Sequence, residues 1–322
     1  MRPARLAMIA ALAFSTVGVI APATAQTPPA AAAAAAPSPP PTLEIRDPGL
    51  VADYFSADPA SSKAGAIIVL GGSEGGLNGS RNLARRLAAA GFDALAVSYF
   101  GEPGQSARLD RVPIEPVVRA REWLEARPAP GEAIALLGVS KGAELALLTA
   151  SRDPAIRAVV AAVPSNVIWQ GIDMTGAPTG GSWTADGVEL PYTPYDLSQG
   201  FNGVLRLYEV SLASAPSEAE IPVERIAGPV LLVSGQADGL WPSTEMANRI
   251  EGRLRANGFR HAVTHLAYPD AGHAAFGAPV RPDTPGLDRA LALGGTIDGL
   301  VAARADGWPR LLAFLTDALA AD

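Results

Sequence analysis

Residues 136–150 read LLGVSKGAELALLTA, and the reading of this stretch decides the fold. An apolar run breaks at Gly138-Val139-Ser140-Lys141-Gly142 and resumes as an alanine- and leucine-rich helix pattern. A buried strand, then Gly-x-Ser-x-Gly, then a helix is the context of a nucleophile elbow. There the serine sits in a strained turn and the glycines relieve crowding against neighbouring backbone. The competing reading is an N-cap serine after a tight turn, since serine is favoured at that position in any helix. The elbow is the more demanding reading, because an acid, a base and an oxyanion hole must then occur in a fixed order along the chain.

Working outward, strand and helix signals alternate as in a doubly wound α/β sheet, mostly parallel, with helices on both faces. Strands are expected at 64–70, 92–99, 133–137, 158–163, 229–234 and 262–268. Helices are expected at 81–90, 115–127, from 140, at 243–257 and at 308–319. Between 164 and 224 the rhythm fails in a stretch rich in Gly, Pro, Ser, Trp and Tyr, read as a lid-like insertion over one end of the sheet. Residues 43–322 are thus expected to form a single α/β domain, a length that α/β architectures occupy as one unit.

The required order is met. Strand 229–234 runs into Gly235-Gln236-Ala237-Asp238, which puts Asp238 in the loop past a strand end. Strand 262–268 leads to Asp270-Ala271-Gly272-His273. Of the three histidines, His261 precedes that strand and His265 lies within it, so His273 alone occupies the loop. An imidazole is suited to take the serine proton and return it to the leaving group, and a carboxylate holds its tautomer. Asp270 competes for the acid's role but lies only three residues from His273. For the oxyanion, Gly71-Gly72-Ser73-Glu74-Gly75-Gly76 follows the first long strand and offers the N–H of Ser73 or Glu74 opposite that of Lys141. This loop lacks the Gly-Lys-Ser/Thr ending of a P-loop and the GxGxxG spacing of a dinucleotide site. The aromatics of the insertion, Trp169, Trp183, Tyr192 and Tyr195, with Trp241 beside the acid, are candidates for the substrate pocket, and ordinary packing is the alternative for each.

The flanking sequence sets the setting. Arg2 and Arg5, an apolar stretch over 6–20 and Ala23-Thr24-Ala25 form the pattern of a secretory signal peptide cleaved after Ala25, with no stable membrane anchor. Residues 26–42 are Ala/Pro-rich and read as a disordered linker. The expected location is periplasmic or secreted. Loss of residues 1–25 removes two arginines and no acid, moving the formal charge from −7 to −9. So acidic a chain has no basic stripe for nucleic acid. With no cysteine there are no disulfides, no thiol nucleophile and no thiolate metal site, and no metal or cofactor is expected.

The segments VLGGSEGG, AVSYFGEPG, VPIEPVVRAREWL, LLGVSKGAELALLTAS, PVLLVSGQADGLWPS and YPDAGHAAF resemble the α/β-hydrolase domain shared by acyl-CoA thioesterases and bile acid-CoA:amino acid N-acyltransferases, within the dienelactone-hydrolase-like group. The resemblance runs from about residue 50 to the C-terminus. It implies a nucleophile at Ser140, an acid at Asp238, a base at His273 and hydrolysis of small-molecule acyl thioesters or esters through an acyl-serine. The family's transferases are associated with a cysteine nucleophile, which this chain lacks, so water is the expected acceptor. Coenzyme A thioesters belong to the cytoplasm, whereas this chain carries an export signal. Its only local candidate for the cofactor's phosphates is the cluster Arg81, Arg85 and Arg86, for which a solvated helix face is the preferred reading. Peptidase activity would use the same triad, and a hydrolase fold without catalysis would still bind ligands.

Overall fold

The computed structural model describes residues 39–127 and 133–320. The signal peptide and nearly all of the linker expected from the sequence lie outside the described residues. In chain order the elements are β1 (Leu43–Asp47), β2 (Leu50–Phe55), β3 (Ala66–Leu70), α1 (Asn78–Ala89), β4 (Asp93–Ser98), β5 (Val112–Pro113) and α2 (Glu115–Glu125). Next come β6 (Ile134–Val139), α3 (Lys141–Ala150), β7 (Ile156–Ala162), β8 (Trp183–Ala185), β9 (Val188–Glu189) and α4 (Val204–Ala213). The chain finishes with β10 (Val230–Gly235), α5 (Ser243–Ala256), β11 (Val263–Tyr268), α6 (Leu287–Leu291) and α7 (Ile297–Ala320).

Eight strands form the main sheet in the order β1-β2-β4-β3-β6-β7-β10-β11. The first two pairings are antiparallel and the remaining five parallel. Strands β3, β4, β6, β7 and β10 are almost wholly buried, which is why they read as mostly apolar runs rather than as alternating ones. Alternate residues of one strand serve two cores. Ile68 and Leu70 face α2, α3 and α5 with Val117, Leu145 and Ile250, while Ile67 and Val69 face α1 and α7 with Leu87, Leu311 and Leu315. Each such side chain contributes about 1.5–3 kcal/mol by leaving water.

The sequence reading missed the β1–β2 hairpin, whose pairs run from Leu43↔Tyr54 to Asp47↔Leu50 around Pro48-Gly49. Only Ile45 of β1 is buried, so the strand carries little apolar signal. Helix α7 begins eleven residues before the expected 308. Pro309 sits inside it, and a proline after an otherwise weakly patterned stretch hides a helix that continues on its N-terminal side. Residues 164–224 are not irregular throughout. They carry α4 and the short strands β8 and β9, which join β5 in a second sheet. No helix among the described residues is long and apolar enough to cross a membrane.

Candidate active site

Ser140 sits between β6 and α3 with φ 56° and ψ −120°, a strained backbone for a non-glycine residue. Its N–H donates to Ala162 O of β7 at 2.9 Å. Both elbow glycines are sterically required. A side chain at Gly138 would collide with the carbonyl of Gly142, and one at Gly142 with the carbonyls of Gly71 and Leu70. The turn is therefore folded tightly on itself and pressed against the loop after β3.

The two partners arrive on neighbouring strands. Asp238 follows β10, and His273 follows β11. His273 Nε2 lies 3.0 Å from Ser140 Oγ, and Nδ1 lies 2.9 Å from Asp238 Oδ2. Asp238 Oδ1 accepts the N–H groups of Leu240 at 2.9 Å and Trp241 at 3.3 Å. Serine, histidine and aspartate are each 7–8 % exposed. A segment that sequence reading did not single out clamps the Asp238 and His273 loops together. The carbonyl of Leu293 accepts N–H groups from Gly239 at 2.9 Å and His273 at 3.0 Å. Gly294, at φ 90°, passes so close to Ala237 and Gly239 that no side chain fits there.

The other histidines are elsewhere. Both ring nitrogens of His265 are partnered, Nε2 by Ser234 Oγ at 2.8 Å and Nδ1 by Glu251 Oε2 at 3.1 Å, and the His261 ring packs against Phe259. Asp270 stays in its loop, its backbone carbonyl accepting from Thr296.

The glycine loop lies beside the elbow. A methyl on Gly72 would stand 3.5 Å from Ser140 Cβ. Tyr99 Oη is 2.8 Å from Gly71 O and 2.7 Å from Gly72 O, so the phenol holds both carbonyls. In a trans peptide the N–H points opposite to the carbonyl, so anchoring Gly72 O turns the Ser73 N–H away from Tyr99. Burial, followed by the charges of Glu74 and Glu144, pushes the Tyr99 phenol well above its ordinary range. Glu74 folds back so that Oε1 accepts the Gly72 N–H at 3.0 Å. Among the described residues the backbone N–H groups of Lys141, Ser73 and Glu74 have no acceptor. An imidazole beside the serine hydroxyl, with a carboxylate behind it and free N–H groups in front, can deprotonate the hydroxyl and stabilise negative charge on an attacked carbonyl.

The Lys141 side chain is buried with its partner Glu144, Nζ to Oε2 2.6 Å, and also donates to Ser182 Oγ at 2.8 Å. Glu144 and Ser182 were not singled out in the sequence, although an i,i+3 Lys–Glu pair on the first turn of a helix was legible there. Of the aromatics, Trp169, Trp183 and Trp241 are at most 1 % exposed. Trp241 meets the His273 ring edge-on at 5.6 Å, and Tyr208 meets Trp241 at 5.5 Å and Trp169 at 4.9 Å. Tyr195 stacks on Trp169. Trp183 packs elsewhere, against Tyr99, and Tyr192 lies against Gly181. On α1, Arg81 is ion-paired with buried Asp53 and Arg85 lies over Phe55.

Comparison with known proteins agrees with this architecture. Acyl-coenzyme A thioesterase 5 of Mus musculus is 29% identical over 270 residues, 82% of this chain and 62% of that protein. Acyl-coenzyme A amino acid N-acyltransferase 1 of Mus musculus is 30% identical over 284 residues, 83% of this chain and 62% of that protein. The chain thus spans about three fifths of the length of these curated relatives. Among solved structures, a Pyrococcus furiosus esterase superposes with a TM-score of 0.51 at 16% identity, covering 84% of this chain and 88% of its own. A Mycobacterium tuberculosis puromycin-hydrolyzing peptidase gives 0.52 at 17% identity, covering 85% of this chain and 38% of its own. At such identities the likeness shows the α/β-hydrolase-like fold alone. Residues 112–321 match the family described as BAAT / Acyl-CoA thioester hydrolase C terminal, nearly two thirds of the sequence, and the chain belongs to that family.

Proposed function

We propose that this chain is a serine hydrolase that cleaves acyl thioesters or esters with Ser140 as nucleophile, His273 as base and Asp238 as its orienting acid. The observation that carries the reading is the position of His273, whose two ring nitrogens lie within hydrogen-bond distance of the Ser140 hydroxyl and the Asp238 carboxylate. Ser140 Oγ attacks the carbonyl carbon as its proton passes to Nε2. The N–H of Lys141 and that of Ser73 or Glu74 hold the oxyanion, and the leaving thiolate or alkoxide takes the proton from Nε2 as the acyl-serine forms. Water then gives a proton to the same nitrogen as it attacks the acyl carbon, the bond to Ser140 Oγ breaks, and Oγ takes that proton back as the carboxylic acid product leaves. Water rather than an amine as acceptor fits a serine nucleophile in a chain without cysteine.

The named activities of the relatives favour thioesters among the acyl substrates. The N-terminal pattern of residues 1–25 supports export, and the 164–224 segment would cover the site. The test is the initial rate of the mature chain beside Ser140→Ala on acyl-CoA thioesters and on simple esters of matched acyl length. We expect the variant to remain folded and to lose about 10⁴- to 10⁶-fold in kcat. Equal rates for the two proteins would overturn the nucleophile. Preference for CoA thioesters over esters would identify the substrate, and the reverse would mean that the substrate had changed with the compartment.

A further inference from the structure

A lysine directly after the nucleophile, buried with a glutamate one turn on, is not needed by the chemistry just described. Lys141 and Glu144 have side-chain exposures of 1% and 0%. Burial lowers the lysine's pKa and raises the glutamate's, while each opposite charge pulls the other back. A helix needing only stability would be served as well by apolar residues of this size, since the desolvation of a buried ion pair offsets most of its attraction. What the pair adds is direction.

Every further hydrogen bond of the pair goes to the 164–224 segment. Glu144 Oε1 accepts the Trp169 N–H at 3.1 Å and the Trp183 indole N–H at 2.7 Å. Lys141 Nζ donates to Ser182 Oγ, which in turn donates to Trp169 O at 2.8 Å. Trp169 is therefore held at both its N–H and its carbonyl. From its indole a row of edge-on aromatic contacts runs through Tyr208 and Trp241 to the His273 ring. Trp241 also gives its backbone N–H to Asp238. Starting one residue after Ser140, the contacts pass through the inserted segment and return to the base and the acid.

We propose that Lys141 and Glu144 are positioning residues that lock the 164–224 segment to the elbow helix, and that the segment in turn holds His273 and Asp238 against Ser140. This role rests on the triad reading for its kinetic consequence but not for its structural one, and the experiment separates the two. The mature chain, Lys141→Met, Glu144→Gln and the double variant K141M/E144Q are compared by hydrogen–deuterium exchange and by kcat and KM on the substrate the wild type turns over best. In either single variant a buried charge loses its partner, and we expect at least about tenfold faster exchange at 165–185 and also at 238–242 and 271–275, with α1 unchanged. We expect kcat to fall about tenfold to hundredfold with KM within about threefold. In the double variant the carboxamide that replaces the Glu144 carboxylate still accepts from Trp169 and Trp183 and no charge is unpaired, so protection and kcat should largely return.

Faster exchange confined to 141–185, with kcat at the wild-type level, would overturn the proposal in favour of a local staple. A double variant that regains protection but stays as slow as K141M would overturn it in favour of a direct electrostatic role for the ammonium. Should both single variants fail to fold, Ser182→Ala removes the two hydrogen bonds by which its hydroxyl links Lys141 to Trp169, and the same pattern is expected at about fivefold. If wild type and Ser140→Ala turn over equally, the catalytic reading fails, and exchange at 238–242 and 271–275 alone decides the positioning role.

Discussion

Asp238 uses its two oxygens differently, and the difference predicts what one atom is worth. Oδ1 takes two backbone N–H groups and Oδ2 faces the imidazole. In Asp238→Asn the carboxamide oxygen can keep the backbone bonds, which leaves its N–H₂ facing His273 Nδ1. The ring is then pushed into the tautomer with its proton on Nε2, where it cannot accept from Ser140. We expect kcat to fall about 10⁴-fold with the unfolding temperature little changed, checked by steady-state kinetics and a thermal melt. The three residues of this site were legible in the sequence because hydrolase chemistry imposes an order on loops that follow strands. The aromatics were not legible in the same way. Composition names Trp169, Trp183 and Trp241, but only packing shows that all three are buried, two in the row that reaches the base and one against Tyr99.

At the scale of elements, the loops that carry Asp238 and His273 depend on a third loop. Gly294 holds φ 90° with its Cα against the backbone of Ala237 and Gly239, and Leu293 O bonds both loops. Gly294→Ala is expected to destabilise by about 1–3 kcal/mol and to lower kcat by about tenfold or more, measured by denaturant unfolding and initial rates. No motif marks this clamp, because its role comes from a bridge between Asp238 and Gly294 across more than fifty residues of chain. The sheet's centre was far easier to read, since parallel strands buried on both faces are mostly apolar runs. Strand β1, with one buried residue in five, offers nothing comparable. Helix α4 went unread for another reason: its apolar residues lie within a Gly- and Pro-rich stretch whose loop signals outweighed them.

For the whole molecule, pH dependence follows from its phenols. Burial raises Tyr54 to about 12 and Tyr208 to about 12, and raises Tyr99, Tyr195 and Tyr268 as well. A group whose folded pKa exceeds its unfolded value near 10 binds its proton more tightly when folded. Its stabilisation is whole below that value and is lost as pH rises through the folded one. The chain is therefore expected to lose stability steeply between about pH 10 and about pH 12. Tyr54 donates to Asp93 Oδ2 at 2.6 Å, and Tyr54→Phe should start less stable and lose less over that window, read as the urea midpoint at several pH values. Helix α3 carries a different whole-molecule consequence. All ten of its residues are buried, and it packs on β6, β7 and β3 at the centre of the sheet. Amides so placed meet solvent only when the entire structure opens. The turn that bears Ser140 is thus rooted in one of the most deeply protected helices of the molecule, and its amides are expected to be among the slowest to exchange.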